Sequence, residues 1–334
     1  MPNKRDAVLE GTLEAARLQR DFKLKDTISR DDGRIDVFSA IIDRGAQLVF
    51  KKLDGLLGAY IPVPNPGILV TTERTLAIQR FTAAHELGHF SMKHRGSLDD
   101  EEILHRSPFA FPSYDPNEVA ADAFASEFLL PEWLIDYHAQ RQQWSINDLR
   151  DAVNVYQLSL RVGLSYEATC WILQKHGLVT RNGINQLLAV ERKTIKQNLL
   201  AGHSLPNWFP NVWVLTEKDA GSAIHGEPND AFVVRLKEHT GSGYLWNLEE
   251  VAAAGFTVVS DERKPSERSG EVDEPVERVL TARSSEDPSI GSIDFTESRP
   301  WDHSDIFGKF SFAYDFRGKE RGLPRAARER LALA

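Results

Sequence analysis

Two histidines separated by one helical turn most constrain how this chain folds. His85 and His89 lie in a stretch that predicts an α-helix with Thr75 as its N-cap. The apolar stripe of that helix consists of Leu76, Ala77, Ile78, Phe81, Ala84, Leu87 and Phe90. Residues four apart on a helix project from one face, so the two imidazoles are placed to bind one metal ion. Glu86 lies beside them, in position to accept a proton from metal-bound water rather than to bind the ion.

A second predicted helix supplies a third candidate ligand, Glu118. Pro116 suits the first turn of that helix, and Asp115 suits its N-cap. Catalytic zinc needs three protein ligands and one open position, and His, His, Glu is a known set. The alternative interpretation of Glu118 is a capping box with Asp115. Asp122, one turn further on, is either the carboxylate that orients a liganding histidine or a solvated surface residue.

Together these motifs resemble the ImmA/IrrE family of zinc metallopeptidases. The resemblance covers residues 35–180 and is carried by Arg80 to His89 (RFTAAHELGH), by Glu118-x-x-Ala121-x-x-Phe124-Ala125, and by Leu129-Leu130-Pro131. It implies that His85, His89 and Glu118 bind Zn²⁺ and that Glu86 is the general base. It also implies a zinc-dependent endopeptidase that makes a site-specific cut in a protein, such as a helix-turn-helix transcriptional repressor, under stress or during induction of a mobile element.

One catalytic role stays open at this stage. Charge that develops on the scissile carbonyl oxygen would fall on the metal and on one further donor. The candidates for that donor are Tyr114, His105, His94 and Arg95. Two departures from the family pattern, Asp122 and Thr71-Thr72 in place of asparagines, do not involve the ligands.

The composition is that of a globular protein. Of the 334 residues, 41% are hydrophobic, and no apolar run reaches membrane-spanning length. No apolar stretch of a secretory signal follows the first residues, and the single cysteine, Cys170, excludes an internal disulfide and suits a buried position. A net charge of −9 argues against broad nonspecific DNA binding. We therefore expect a cytoplasmic protein with no membrane partner.

The overall fold class expected from the sequence is α+β. Residues 1–35 predict a peripheral N-terminal helix, and residues 36–145 predict a zincin-like metallopeptidase domain with a small sheet. Within that domain, residues 36–53 carry a helical pattern, and the runs 58–61 and 68–71 are extended. In zinc peptidases a strand at a sheet edge commonly holds the substrate backbone, and by analogy the run 68–71 is the candidate.

Residues 146–205 predict a helix-turn-helix-like segment. Residues 155–162 form its first helix, Gly163 its turn, and Ser165 the N-cap of a second helix that ends at Lys175. Over residues 146–200, seven Arg or Lys residues stand against four acids, a slight surplus for a phosphate-binding surface. We favour a helical hairpin packed on the catalytic unit, and DNA binding through these residues is the alternative.

From residue 211 the pattern changes to alternating strands separated by turn-rich spacers. It predicts an Ig-like β-sandwich over 211–316. The strands are expected at 212–215, 231–236, 256–259, 276–280 and 310–314. Residues 240–246 and Arg299-Pro300-Trp301 resemble two loops of the chagasin-like cysteine protease inhibitors, and the order and spacing of the strands match that family.

The inhibitory loops of that family are altered in this chain. Residues 239–243 read His-Thr-Gly-Ser-Gly instead of Asn-Pro-Thr-Thr-Gly, and residues 267–274 are charged where the family has a glycine-rich loop. Because unpaired charges are costly to insert into a protease cleft, we expect this domain to bind a protein partner or present substrate. The alternative function of the whole chain is a non-catalytic binding protein with a protease-inhibitor or repressor-docking role. Residues 317–334 are expected to form a C-terminal tail or short helix.

Overall fold

The computed structural model describes residues 3–28, 33–95, 97–100, 115–205, 207–265 and 275–333. The elements of the first part are α1 (Lys4–Asp21), α2 (Leu24–Thr27), α3 (Val37–Asp43), β1 (Gln47–Lys51), β2 (Leu56–Ile61), β3 (Gly67–Thr71), α4 (Leu76–Ser91), β4 (Ser97–Asp100), α5 (Pro116–Leu129) and α6 (Glu132–Gln142). A helical segment follows with α7 (Ala152–Val162), α8 (Tyr166–Lys175), α9 (Arg181–Ala189) and α10 (Arg192–Leu199). None of the described helices is both long and apolar enough to cross a membrane.

A β-rich part completes the chain. Its elements are β5 (Val212–Thr216), β6 (Ser222–His225), β7 (Ala231–Glu238), β8 (Leu245–Asn247), α11 (Glu249–Ala253), β9 (Thr257–Lys264), β10 (Val276–Arg283), β11 (Ile290–Arg299), β12 (Asp302–Asp315) and α12 (Arg325–Leu333). The whole is the α+β architecture predicted from the sequence: a zincin-like unit, a helix-turn-helix-like segment and an Ig-like β-sandwich.

The sheet of the first part has the strand order β1-β3-β2-β4. β1 and β3 run parallel, while β2 is antiparallel to both β3 and β4. β3 therefore lies inside the sheet, and the interpretation of its run as a substrate-binding edge is wrong. Its unbroken apolar sequence fits an interior strand, because Ile68 and Val70 are buried on one face. Among the described residues, β4 forms the edge next to β2.

The helix predicted over residues 36–53 is two elements. α3 ends at Asp43, Gly45 has a φ of +91°, and β1 begins at Gln47. Leu48 and Phe50 are buried at alternate positions, as a half-buried strand requires. The apolar residues of α3 and β1 together follow the spacing expected of one helix. A glycine with a left-handed backbone conformation lies between the two elements and ends the helix.

The N-terminal helix packs along α5. Ala7, Gly11, Ala15 and Leu18 form its buried face. A Cβ placed at Gly11 would lie 1.9 Å from the carbonyl oxygen of Ala120, so α1 approaches α5 closely only because this position has no side chain. The helix expected at the periphery thus supports the helix that carries Glu118.

We expect the substitution Gly11→Leu to lower the free energy of unfolding by about 3 kcal/mol, the upper end of the usual cost of overpacking. The clash is with the backbone of α5, which cannot rotate away as a side chain does. Urea unfolding measures the change. Leu13→Ala is the control, because Leu13 lies on the exposed face of α1 and such changes stay within about 0.5 kcal/mol. Equal effects of the two substitutions would contradict the proposed packing.

The helical segment has the turn and cap that the sequence predicts. α7 ends at Gly163, which has a φ of +68°, and the Ser165 side chain accepts a hydrogen bond of 3.1 Å from the amide of Ala168. The segment lies between the two parts of the chain. On one side Lys175 pairs with Glu127 of α5 at 3.0 Å, and on the other side Gln157 of α7 is bound to β5. Cys170 is fully buried, as expected.

Two four-stranded sheets form the sandwich, in the orders β5-β7-β10-β9 and β6-β12-β11-β8. Large buried aromatic side chains such as Trp213, Phe232 and Phe312 fill the space between them. All five strands predicted from the sequence are present. The sequence did not predict β6, β8 and β11. β6 and β8 are short, and β11 has few apolar positions beside an exposed polar face.

The segment after the sandwich returns to the first part. Phe50 of β1 and Gly322 exchange two backbone hydrogen bonds of 2.8 Å, which extends the sheet beyond β1. Gln79 of α4 is fully buried and bound to the backbone of Glu320, donating to its carbonyl at 3.1 Å and accepting from its amide at 2.8 Å. The residues before α12 therefore pack as part of the zincin-like unit.

Candidate metal centre

Helix α4 is buried along most of its length between the sheet and α5. His85, Glu86 and His89 are each no more than 1% exposed. Gly88 allows the close approach of α5, since a Cβ there would lie 3.1 Å from the ring of Phe124. The polar residues of the motif are thus held between two packed elements, where their geometry is fixed by the fold.

His85, His89 and Glu118 converge on one point. Their candidate ligand atoms all lie within 4.8 Å of one another. His85 Nε2 lies 3.2 Å from Glu118 Oε2, His89 Nε2 lies 3.5 Å from Glu118 Oε1, and the two Nε2 atoms are 3.0 Å apart. Ligands about 2.0–2.1 Å from a tetrahedral zinc ion are about 3.3 Å apart, so this donor set fits one zinc ion.

The charge state of Glu118 suits metal binding. Burial raises the pKa of this carboxyl, but hydrogen bonds and charge from His85 and His89 outweigh burial and hold the pKa well below its usual range. Glu118 is therefore a carboxylate at neutral pH, the form that binds a cation. The capping-box interpretation does not hold: Asp115 caps α5 by accepting from the amide of Asn117 at 2.8 Å, while the Glu118 side chain contacts the histidines.

A second set of contacts orients the two histidines. The Asp122 carboxylate is 5% exposed and lies 2.8 Å from His85 Nδ1, so Nδ1–H donates to Asp122 and Nε2 faces Glu118. His89 Nδ1 lies 3.0 Å from His94 Nδ1 in the same way. Burial first, and then the charge of His89, lower the pKa of His94 to about 4. His94 is therefore neutral at pH 7, and its Nδ1 can accept a hydrogen bond from His89.

His94 is thus placed to orient His89, although the sequence suggested it as a donor to the scissile carbonyl. The one indication of this contact in the sequence is that His94 follows His89 by five residues. Of the other candidate donors, Arg95 is exposed. His105 and Tyr114 lie outside the described residues.

The N-terminus of α4 is held by residues far away in the chain. Thr75 is the N-cap residue, as predicted, but its side chain makes no capping hydrogen bond. Instead the amide of Leu76 donates to Glu227 Oε1, at 3.0 Å, from the start of the β-rich part. Gln79, one turn on, also donates to the carbonyl of Thr71 at 2.9 Å. The β-rich part therefore contributes directly to the position of the metal-motif helix.

The loops of the sandwich that resemble inhibitor loops pack on each other. Residues Thr240–Ser242 form a turn of 3₁₀ helix, and a Cβ at Gly243 would lie 2.8 Å from the ring of Trp301. His239 is anchored to buried Glu297 at 3.0 Å, while Trp301 is 73% exposed. The charged segment 267–274 lies outside the described residues. Trp301 is one exposed side chain of this surface that a partner could contact.

Comparison with known proteins shows that two parts of the chain are each similar to a known family. Residues 43–173 match the IrrE N-terminal-like domain, peptidase family M78, and residues 227–316 match the chagasin family of peptidase inhibitors, I42. Both resemblances inferred from the sequence are thereby confirmed. The sequence matches no curated protein.

Two solved structures are each similar to about a third of this chain. A cysteine protease inhibitor from Entamoeba histolytica is 23% identical and covers 33% of this chain and 98% of its own, with a TM-score of 0.29. The solution structure of amebosin is 17% identical and covers 32% of this chain and 97% of its own, with a TM-score of 0.26.

Proposed function

We propose that this protein is a zinc-dependent endopeptidase that cuts a protein substrate at a specific site. The observation that carries the proposal is the convergence of His85, His89 and Glu118, with Glu86 buried next to them on α4. The match of residues 43–173 to a peptidase family supports it. The donor set of two imidazoles and one carboxylate leaves a fourth position for water, as catalytic zinc sites do.

Each residue of the centre then has a defined task. Zinc, when bound, would act as a Lewis acid and lower the pKa of a water molecule towards neutrality. His85, His89 and Glu118 hold the ion, and Asp122 and His94 fix the ring orientation of the two histidines. Glu86 takes a proton from the water onto its carboxylate as the water attacks the scissile carbonyl, and it then passes that proton to the leaving amine.

For the substrate, we propose a protein such as a helix-turn-helix transcriptional repressor, cut in the cytoplasm under stress or during induction of a mobile element. The resemblance to the ImmA/IrrE family supports this class of substrate. β4, which forms the edge next to β2 in the part of the chain that the structure describes, is a candidate to hold an extended substrate segment by backbone hydrogen bonds. The sandwich, with Trp301 exposed, is a candidate docking surface for the same protein or a partner.

Metal analysis of the wild type and of Glu118→Ala tests the proposal. We expect about one zinc ion per wild-type chain and at least a tenfold loss of zinc affinity in Glu118→Ala, because the variant loses a charged ligand. Asn117→Ala is the matched control, since Asn117 is the exposed neighbour of Glu118 on α5 and should keep its zinc. Freshly purified wild type that takes up no zinc when zinc is supplied would favour the non-catalytic binding protein.

A cleavage assay provides the second half of the test. Its substrate is a purified helix-turn-helix repressor, chosen first from any that genes next to the one for this chain encode. Zinc-loaded wild type is expected to give two discrete fragments, and removal of zinc by a chelator to stop the reaction. Zinc-loaded protein that leaves this repressor and other helix-turn-helix repressors intact would contradict the proposed peptidase activity.

A further inference from the structure

Gly58 of β2 lies under the face of α4 that carries Glu86. A Cβ placed at Gly58 would lie 2.8 Å from Glu86 Oε1 and 2.5 Å from Thr82 Cγ2. Carbon atoms of a folded protein do not approach other heavy atoms so closely without displacement. The same Cβ would lie 3.2 Å from the carbonyl oxygen of Leu69 in the adjacent strand. Helix, sheet and the carboxylate of Glu86 therefore meet at a point where a side chain fits only if Glu86 and Thr82 shift.

The backbone conformation does not explain this glycine. Gly58 is not among the glycines of this chain that have a positive φ, so other residues can adopt its backbone. Gly67 of the neighbouring strand β3 shows the contrast, since a Cβ there would have only the carbonyl oxygen of Gln47 near it, at 3.9 Å. What Gly58 provides is space next to Glu86.

We propose that Gly58 is a positioning residue for the general base. By leaving this space empty of a side chain, Gly58 lets the Glu86 carboxylate rest against the sheet and sets its distance from the attacking water. This role depends on the proposed peptidase function. A methyl group at this position would push the carboxylate out of place, while none of the three atoms nearest to it belongs to the ligands His85, His89 and Glu118. A misplacement of about 1 Å is enough to lower a rate about 100-fold.

The first experiment compares Gly58→Ala with Gly67→Ala in the full-length protein. We expect Gly58→Ala to bind one zinc ion per chain as the wild type does, with a KM within about twofold and a kcat about 100-fold lower. Gly67→Ala is expected to keep wild-type kcat. A wild-type kcat in zinc-loaded Gly58→Ala would overturn the proposal, and a raised KM at unchanged kcat would do the same, since it would indicate a binding role.

The second experiment separates Glu86 from Thr82. The single variant also crowds Thr82, so the double variant Gly58→Ala with Thr82→Ser removes the methyl group that lies closest and provides a protein that folds if the single variant does not. We expect the double variant to keep the low kcat. Recovery of wild-type kcat would show that crowding of Thr82 was the cause and would overturn the role assigned to Glu86.

Crystal structures distinguish this inference from the proposed function. In the zinc-loaded double variant the Glu86 carboxylate is expected to lie about 1 Å or more from its wild-type position, whatever the activity. An unmoved carboxylate would overturn the positioning role even if the wild type cleaves its substrate. A displaced carboxylate in a protein whose wild type cleaves nothing would leave the geometry of Gly58 standing and refute the peptidase function.

Discussion

Glu86→Gln is expected to abolish cleavage of the substrate while the protein keeps its zinc. Glutamine has the shape of glutamate, so the fully buried site stays packed. An amide, however, accepts no proton from water at neutral pH and has none to pass to a leaving amine. General base catalysis contributes about 10²–10⁴-fold, and Glu86 serves both proton transfers, so we expect kcat to fall at least about 10³-fold. Single-turnover cleavage together with metal analysis of the same sample measures both quantities.

Glu132→Gln is the matched control for this substitution. It makes the same chemical change at an exposed position in the first turn of α6, and activity is expected to stay at the wild-type level. Glu86→Gln that retains cleavage at wild-type rates would refute the assignment of the general base. Loss of zinc together with activity would instead indicate that Glu86 takes part in binding the metal.

The sequence was sufficient to predict that the residues of the candidate centre lie close together, because local structure decides most of their placement. His85, Glu86 and His89 are fixed relative to one another by a single helix, whose start at Thr75 was readable from the sequence. Asp115 and Pro116 mark the start of α5 and so place Glu118 on its first turn. Only the packing of α4 against α5 was left to be inferred, and the resemblance to a peptidase family supplied it.

Features that depend on strand pairing or on distant parts of the chain were not readable from the sequence. The run 68–71 has the same local pattern whether it forms an edge or an interior strand, and pairing with β1 decides between them. The hydrogen bond from Leu76 to Glu227 joins residues 151 positions apart. The space at Gly58 exists only where β2 meets α4. No local spacing encodes such contacts.

A chain that ends at residue 205 is not expected to form a stable metal-binding unit. The residues beyond 207 satisfy buried polar groups of the first part at several points. Gln79 loses the backbone of Glu320, Phe50 loses its two hydrogen bonds to Gly322, and Gln157 loses β5, to which it binds through the carbonyl of Val212 and the amide of Val214, both at 2.9 Å. Each of these hydrogen bonds contributes about 0.5–1.5 kcal/mol net to stability, and the truncated chain loses all of them.

Together these losses approach the whole stability of a domain, about 5–15 kcal/mol. Exposure of the apolar contacts between α7 and the sandwich adds to them.

The measurement is thermal unfolding and zinc binding of the truncated chain, for which we expect no cooperative transition. The control is a chain that ends at residue 326, which removes most of α12, a helix without buried residues, and is expected to unfold like the full-length protein. Cooperative unfolding with bound zinc in the chain ending at 205 would show instead that the inhibitor-like sandwich is a separate module. Failure of that chain to fold, with the control intact, would mean that the sandwich and the segment after it together form a structural part of the candidate peptidase, since Glu227, Glu320 and Gly322 all bind elements of the first part.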